Sequence, residues 1–361
     1  MSTVQFVRLR LILFLLLFCV TFWTEWAHNK RESGIRDDTG YPYQLLALIW
    51  DRPAIQNEVS ALKLLSPYNL WEDHPGGADT KIALFFYVAL WYIHQYPNRR
   101  SIGGRDWRYF GRLTENHFYD YVCDVLIRFS QAINEIDYNW RFHPKNHGAG
   151  SIFNRFVTCF VDTTPLFVKQ PTDDDLRQRL FHPKYGGCIY KIQVAVNFLG
   201  WICYWSGPHE GNINDNVSKR VLVQSDCDFV QVIFAATLHE HPLRSWEFWC
   251  GDGIYHSCYG VITRFVLQAG QVFTRAMVAV NTWINHYRQR VEHVMASIKS
   301  HAMFKRNFNG SKAMLTACIT LTMHMASAKI RHAWDEEAYH KYQGFKAPLA
   351  SRRCIFGRFR R

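Results

Sequence analysis

In the first part of the chain, the apolar positions follow two helical patterns. Residues 81–94 form a dense apolar run that is too short to span a bilayer upright, which predicts a buried helix. Thr114 is then placed to cap a helix whose apolar residues recur at three-to-four spacing: Phe118, Val122, Val125, Phe129 and Ile133. The Gly- and Arg-rich segment 101–113 separates the two helices. The arrangement is compatible with a helix-turn-helix unit that contacts DNA and equally with a small helical bundle.

Near residue 150 the pattern changes to that of strands. Short apolar or alternating runs predict strands at 156–161, 190–196, 201–205 and 246–250. The first is expected to end at Asp162, before a turn at 163–165, and the last at Gly251 and Asp252. A turn at 199–200 joins the second and third strands into a hairpin. Helical patterns follow at 212–224, 276–300 and 311–332. This order predicts an α/β core behind an all-helical N-terminal domain.

Composition and charge narrow the class of protein. The chain of 361 residues is 48% hydrophobic, so it can bury a sizeable core, and this excludes disordered, collagenous and purely coiled-coil proteins. The net charge is +12, but residues 262–361 hold 17 Lys and Arg against 4 Asp and Glu. This asymmetry favours a polyanionic partner, either nucleic acid or an acidic membrane surface. A solvated basic face with a basic tail is the alternative.

Signals for the cellular compartment conflict. Arg8 and Arg10 precede an apolar run, 11–23, that has the length of a signal-peptide core, although no clear cleavage site follows. Two glycosylation sequons begin at Asn216 and Asn309. The settings of the cysteines favour reduced thiols in a core and hence a cytosolic or nuclear protein: Cys159, Cys203, Cys250 and Cys318 lie in apolar stretches. We expect a nuclear protein, with a secretory or membrane-anchored one as the alternative if the leader is functional.

Three acidic residues are candidates for a metal site. Asp162 and Asp252 each follow a short apolar strand, where a carboxylate can emerge at the end of a sheet; a turn-forming or capping aspartate is the alternative for each. Glu292 is the sole acidic residue between Gly253 and Trp334.

The helix around Glu292 has an apolar stripe that faces the core: Met277, Val280, Ile284, Tyr287, Val291, Val294 and Ile298. Asn281, Arg288, Glu292 and Lys299 share one flank of that stripe. Glu292 is therefore either a metal ligand or an ion-pair partner of Arg288, and such a pair stabilises an exposed helix by only about 0.5 kcal/mol.

Two Asp and one Glu supply the hard oxygen ligands that suit Mg²⁺ or Mn²⁺. Two such ions, about 4 Å apart, would activate an attacking water or hydroxyl and stabilise the leaving oxygen in phosphodiester cleavage. Nearby cations would suit a phosphodiester substrate, and the candidates for DNA contact are Arg288, Arg290, Lys299, Lys305 and Arg306. The chain has no nucleophile elbow, Walker loop or dinucleotide fingerprint.

In these motifs the sequence resembles the PIF/Harbinger-type transposases, a DDE family with an RNase H-like catalytic fold. The matching pieces occur in family order over roughly residues 80–332: Val161–Pro165 for the first Asp, 190–200 for the strand pair, Gly211–Asp215 for the following turn, Gly251–Tyr255 for the second Asp, and Asn281, Arg288, Glu292 and Lys299 for the third-acid helix. Asn214 stands where the family has His, which puts the role of that turn in doubt. The apolar leader is also foreign to the family.

The resemblance implies that Asp162, Asp252 and Glu292 bind two divalent metals and cut DNA at the ends of a mobile element. Strand transfer would follow, with the liberated 3′-hydroxyl attacking target DNA. It also implies a separate Myb-like DNA-binding accessory protein, and the oligomeric state, including a homo-oligomer, is open. The expected division is an apolar leader (1–27), a helical domain with the helix-turn-helix candidate (28–150), an RNase H-like DDE nuclease domain (151–335) and a basic tail (336–361).

Other motifs are weaker. The segment 238–242, Leu-His-Glu-His-Pro, lacks the spacing that places two histidines on one helical face, so a polar loop is favoured over a metal site. Asp173, Asp174 and Asp175 are typical of a solvated turn or helix start. Asp215 is the substitute if one of the three acids is assigned wrongly.

Two other functions are compatible with the sequence. One is a domesticated relative that binds DNA without transposition activity, although the intact acids argue against a decayed centre. The other is a secreted hydrolase that uses paired carboxylates, which the leader and sequons favour and which predicts disulfides.

Overall fold

A computed structural model describes residues 32–65, 77–96, 115–143, 156–211, 243–256 and 258–342. Its helices are α1 (Glu32–Thr39), α2 (Tyr43–Trp50), α3 (Pro53–Lys63), α4 (Gly77–Gln95), α5 (Glu115–Ala132), α6 (Asp174–Leu180), α7 (Arg275–Ile298), α8 (Ala302–Lys305) and α9 (Lys312–Tyr342). Short 3-10 helices lie at Tyr138–Phe142, Pro183–Tyr185 and Gly253–Tyr255.

The described strands form one mixed sheet: β1 (Val157–Phe167), β2 (Phe181–His182), β3 (Gly187–Val196), β4 (Ile202–Glu210), β5 (Phe248–Cys250) and β6 (Val261–Ile262). β1, β3 and β4 are antiparallel neighbours, and β2 also pairs with β3. On the other side of β1, β5 and β6 run parallel to it. The sheet is flanked by helices, so the predicted α/β fold with a mixed sheet is confirmed.

The predicted helices at 81–94, after Thr114, at 276–300 and at 311–332 are confirmed as α4, α5, α7 and α9, and the hairpin as β3 and β4. Asp173 begins α6, where its side chain accepts a hydrogen bond from the Leu176 amide at 2.6 Å. The leader, the segment 101–113, the helix 212–224 with Asn214 and Asp215, the segment 238–242 and the tail beyond residue 342 lie outside the described residues.

The predicted end of the first strand at Asp162 is wrong. β1 continues to Phe167, and Asp162 lies mid-strand opposite Val194. Thr163 and Pro165 continue the ladder with β3, whereas β5 pairs with β1 only as far as Phe160. Proline is tolerated there because it lies beyond the segment of β1 that is paired on both edges.

The helices at the N-terminal side share a core with the sheet. Ile82, Ala83 and the residues from Phe85 to Ile93 of α4 are buried, because α4 packs between α1, α5 and α8. Val122, Val125 and Phe129 of α5 join the same apolar cluster as α9. The exposed side of α5 carries Asp120, and its contact with DNA stays a prediction, as does a domain boundary near residue 150.

Within the described residues, Lys312–His332 of α9 is long and apolar enough to cross a membrane, yet 67% of its apolar window is buried inside the protein, as expected for a core helix. Cys159, Cys203, Cys250 and Cys318 are buried free thiols, as their apolar settings predicted.

The two faces of β1 have different roles. Side chains alternate between the faces of a strand, so Phe160 and Asp162 share one face while Val161 and Thr163 share the other. The ring of Phe160 stacks on Tyr287 of α7, with centroids 5.8 Å apart. This contact places the polar flank of α7 beside Asp162. The opposite face packs against Tyr255 and Trp249 in a second apolar cluster.

Candidate active site

Asp162 is the most buried of the three candidate acids. Its carboxylate accepts a hydrogen bond from the amide of Thr163 at 2.8 Å. Burial raises the pKa of Asp162, and the negative charges of Asp252 and Glu292 raise it further, whereas the Thr163 amide and the Arg288 guanidinium lower it. These electrostatic effects show that the three acids lie in one neighbourhood, where their charges repel.

Asp252 stands in the turn that follows β5. Its side chain caps the 3-10 helix Gly253–Tyr255 by accepting a hydrogen bond from the Gly253 amide at 2.7 Å. Gly251 precedes it, and a Cβ atom at that position would lie 2.7 Å from the ring of Tyr255. A glycine therefore lets the chain turn tightly against that ring. The predicted end of this strand at Gly251 and Asp252 is confirmed.

Glu292 projects from α7, and Arg288 links it to Asp252. Arg288 Nη1 lies 3.2 Å from Asp252 Oδ1, and Nη2 lies 3.4 Å from Glu292 Oε1. The Arg288 side chain is 11% exposed, against 42% for Asp252 and 54% for Glu292. One buried guanidinium thus bridges two half-exposed carboxylates, so the ion pair proposed from the sequence forms and extends to Asp252.

Arg264 is a site residue that the sequence reasoning missed. Its Nη2 lies 3.5 Å from Asp252 Oδ1, and its Nη1 donates to Asn285 of α7 at 3.3 Å. In the parallel pair of β5 and β6, Cys250 lies opposite Ile262. Asp252 and Arg264 each follow that pair by two residues, which brings them together. The short apolar pair Val261–Ile262 was the signal, but it is too brief to predict as a strand.

The other predicted cations lie at different depths. Lys299 is partly buried at the end of α7; burial lowers its pKa, and the negative charge of Asp162 opposes that shift. Arg290 is partly buried, and burial lowers its pKa as well. Lys305 and Arg306 are exposed, and Arg306 Nη1 donates to the Tyr96 carbonyl at 3.2 Å. A role for any of the five in DNA binding stays a prediction.

The donor chemistry of the site suits a hard divalent cation. Carboxylate oxygens are the ligands that Mg²⁺ and Mn²⁺ take. A bound cation would favour the charged form of Asp162, whose pKa is raised mainly by burial and further by the charges of Asp252 and Glu292. As the side chains stand, no three His, Cys, Asp or Glu residues of the described segments are close enough together to hold a metal ion. Asp252 and Glu292 are instead engaged with Arg288.

One segment of the chain matches a known protein family. Residues 161–326 match the model of the DDE superfamily endonucleases. This segment is similar to the DDE superfamily endonucleases. The match begins one residue before Asp162, contains all three acids and ends within α9. It supports a nuclease function for the chain and agrees with an RNase H-like α/β fold. No curated protein and no solved structure gave a significant match.

The match confirms the DDE superfamily, and the PIF/Harbinger-type subgroup stays a prediction. The three acids, their partner Arg288 and the additional Arg264 all lie inside the matched segment.

Proposed function

We propose that the chain is a metal-dependent DNA endonuclease and transposase, which cuts phosphodiester bonds and joins a 3′-hydroxyl to target DNA. The observation that carries this proposal is the convergence of Asp162, Asp252 and Glu292 around Arg288 inside a DDE endonuclease domain. Acids from β1, from the turn after β5 and from α7 come close enough for their charges to influence one another, although 130 residues separate the first from the last.

Asp162, Asp252 and Glu292 are the proposed ligands of Mg²⁺ or Mn²⁺, with two ions in the complete site. Bound there, the ions would activate the attacking oxygen and stabilise the leaving one. To act as ligands, Asp252 and Glu292 have to turn away from Arg288. Arg264, beside Asp252, and Lys299, near Asp162, would contact the phosphates of the DNA.

The rest of the surface supports DNA as the substrate. Exposed basic residues lie beyond the end of β1 and around α8, at Lys169, Lys305, Arg306 and Lys312. Lys305, Arg306 and Lys312 belong to the basic segment 262–361. Neutralisation of DNA phosphates by such residues makes the affinity for DNA depend on salt. A nuclear location, a Myb-like accessory protein and a homo-oligomer complete the proposal.

The deciding experiment compares the full chain with its Asp252→Asn variant in a DNA nicking assay with Mg²⁺ or Mn²⁺. We expect the wild type to cut and the variant to lose at least about 10³-fold in rate, because one ligand of a metal that stabilises developing charge is removed. DNA binding, measured across several salt concentrations, should be nearly unchanged. The matched control is Asp120→Asn on the exposed side of α5, which should cut like the wild type.

Equal cleavage by wild type and Asp252→Asn would remove Asp252 from the mechanism. A wild type that binds DNA but does not cut it with either metal would favour the domesticated DNA-binding relative instead. The secreted hydrolase requires disulfides, and the cysteines in the described segments are free thiols.

A further inference from the structure

The hydroxyl of Tyr255 is the centre of a buried polar network behind the three acids. It lies 2.9 Å from Thr163 Oγ1, and Gln193 Nε2 donates to it at 3.1 Å. Gln193 also lies 3.5 Å from Thr163 Oγ1. Tyr255 and Gln193 are fully buried, so each hydrogen bond replaces contact with water that the fold has removed.

The sheet register explains why these side chains meet. Thr163 of β1 lies opposite Gln193 of β3, so both point to the same face of the sheet. That face is the one covered by Tyr255, away from α7. The network therefore lies on the opposite side of β1 from Asp162, directly behind it.

Each end of the network is tied to one candidate ligand. Thr163 follows Asp162 and donates its amide to that carboxylate at 2.8 Å. Tyr255 lies one 3-10 turn after Asp252, and its amide donates to the Asp252 carbonyl at 2.9 Å. The ring of Tyr255 packs against Gly251 on the other side of Asp252. A shift of the Tyr255 hydroxyl would thus move the Asp252 turn relative to β1.

We propose that Tyr255, Thr163 and Gln193 are positioning residues that set the separation between the carboxylates of Asp162 and Asp252, and through it the affinity of the site for divalent metal. This inference rests on the proposed function, in which those two carboxylates are ligands. Groups that hold the ligands of a metal without touching it typically change metal affinity by 10- to 100-fold when removed.

The chemistry of the network suits this role. Burial raises the pKa of Tyr255 far above its usual value, and the charge of Asp162 raises it as well. The hydroxyl therefore stays protonated and can donate as well as accept at any pH at which the protein functions. Replacing the Tyr255 hydroxyl with hydrogen leaves the Gln193 amide without its acceptor in a closed space. The hydrogen bonds that fix the spacing between the Asp252 turn and the strands β1 and β3 are then lost.

The test uses the full chain and calorimetric titration with Mn²⁺. Tyr255→Phe keeps the ring against Gly251 and removes only the hydroxyl. Thr163→Val removes the Thr163 hydroxyl to which Tyr255 is hydrogen-bonded. We expect each to weaken Mn²⁺ binding about tenfold and to raise the Mn²⁺ concentration for half-maximal cleavage by the same factor, with the Kd for DNA unchanged. Thr163→Ser keeps a hydroxyl and should restore the wild-type affinity.

The matched control is Tyr204→Phe. Tyr204 packs against the same apolar cluster, with its ring 6.4 Å from Trp249. A merely structural role would lower the melting temperature of Tyr255→Phe and leave its Mn²⁺ affinity at the wild-type value, and that result would overturn the proposal. Equal Mn²⁺ affinity in Thr163→Val and Thr163→Ser would overturn it as well.

Hydrogen–deuterium exchange separates this inference from the proposed function. Peptides that cover 160–167 and 250–256 should exchange faster in Tyr255→Phe than in Tyr204→Phe, whether or not metal is present. A wild type that neither binds Mn²⁺ nor cuts DNA would refute the proposed function. Unchanged exchange in both peptides would refute the positioning network by itself.

Discussion

Two clusters of buried or half-buried charge in this protein are built in opposite ways. In the helical region, one carboxylate is surrounded by guanidinium groups: Glu135, only 4% exposed, pairs with Arg52 at 2.8 Å and with Arg331 of α9. At the edge of the sheet, one buried guanidinium faces several carboxylates, since Arg288 contacts Asp252 and Glu292 and lowers the pKa of Asp162.

The difference separates a structural cluster from the cluster that we propose to be functional. Around Glu135 the charges attract, and the backbone amide of Glu135 also donates to His324 at 2.8 Å. Around Asp162, burial raises the pKa of the carboxyl group, and the neighbouring charges of Asp252 and Glu292 raise it further against the opposing effect of Arg288. Such an imbalance costs stability and is typical of sites that bind a cation. The predictions below test this contrast.

The largest effect on stability is expected from Glu135→Gln. The variant leaves Arg52 and Arg331 facing each other without the carboxylate between them, and the cost is about 2 kcal/mol, lower than for a fully buried pair because the Arg52 side chain is 42% exposed. Chemical denaturation should show this loss in the free energy of unfolding. Asp124→Asn, which removes an exposed i,i+4 pair with Arg128, should cost only about 0.3 kcal/mol. Equal losses in the two variants would abolish the distinction between a buried and a surface pair.

A smaller loss is expected from Arg288→Gln. Because Arg288 lowers the pKa of Asp162, its removal raises that pKa further and destabilises the fold by about 1–2 kcal/mol at pH 7.5, a value discounted for the half-exposed partners. A carboxyl whose pKa is raised in the folded state favours folding once it is protonated. The difference from the wild type should therefore shrink as the pH falls towards 5, and it should also shrink when Mn²⁺ is added.

Denaturation curves at several pH values would measure the difference in the free energy of unfolding between the wild type and Arg288→Gln. The control is Arg275→Gln, on the exposed start of α7. A pH-independent difference would mean that Arg288 acts through packing alone.

The smallest effect is expected from Asp162→Asn, and its sign is opposite. The amide has the shape of the carboxylate and can still accept from the Thr163 amide, but it carries no charge to bury or to repel Asp252 and Glu292. We expect the melting temperature to rise by about 2 °C while metal-dependent cleavage is lost. A scanning thermal melt beside the nicking assay would show both, and a fall in melting temperature would contradict the argument about repulsion.

The sequence predicts the local elements of this fold better than their pairing. Asp252 was located correctly because an apolar run stops at a Gly-Asp turn. The end of β1 was misjudged because Thr-Thr-Pro is typical of a turn, whereas the ladder with β3 keeps it extended. The α7 stripe was predicted well at Ile284, Val291, Val294 and Ile298.

Long-range contacts account for what the sequence could not predict. Arg288 was expected on the flank of the apolar stripe of α7. It is buried, because its side chain faces the turn after β5. The contacts of Arg264 and Tyr255 with the site depend on the register of paired strands, and the pattern of apolar and polar residues along the chain does not specify that register.

The burial of α9 has a practical consequence for work with the isolated nuclease segment. Cys318 on this helix lies close enough to Cys123 of α5 for the two thiols to influence each other, and His324 accepts from the chain just after α5. A fragment that starts at residue 151 would expose this side of α9 to water. Biochemists who want soluble, active material should therefore express the helices from residue 32 onward together with the nuclease segment.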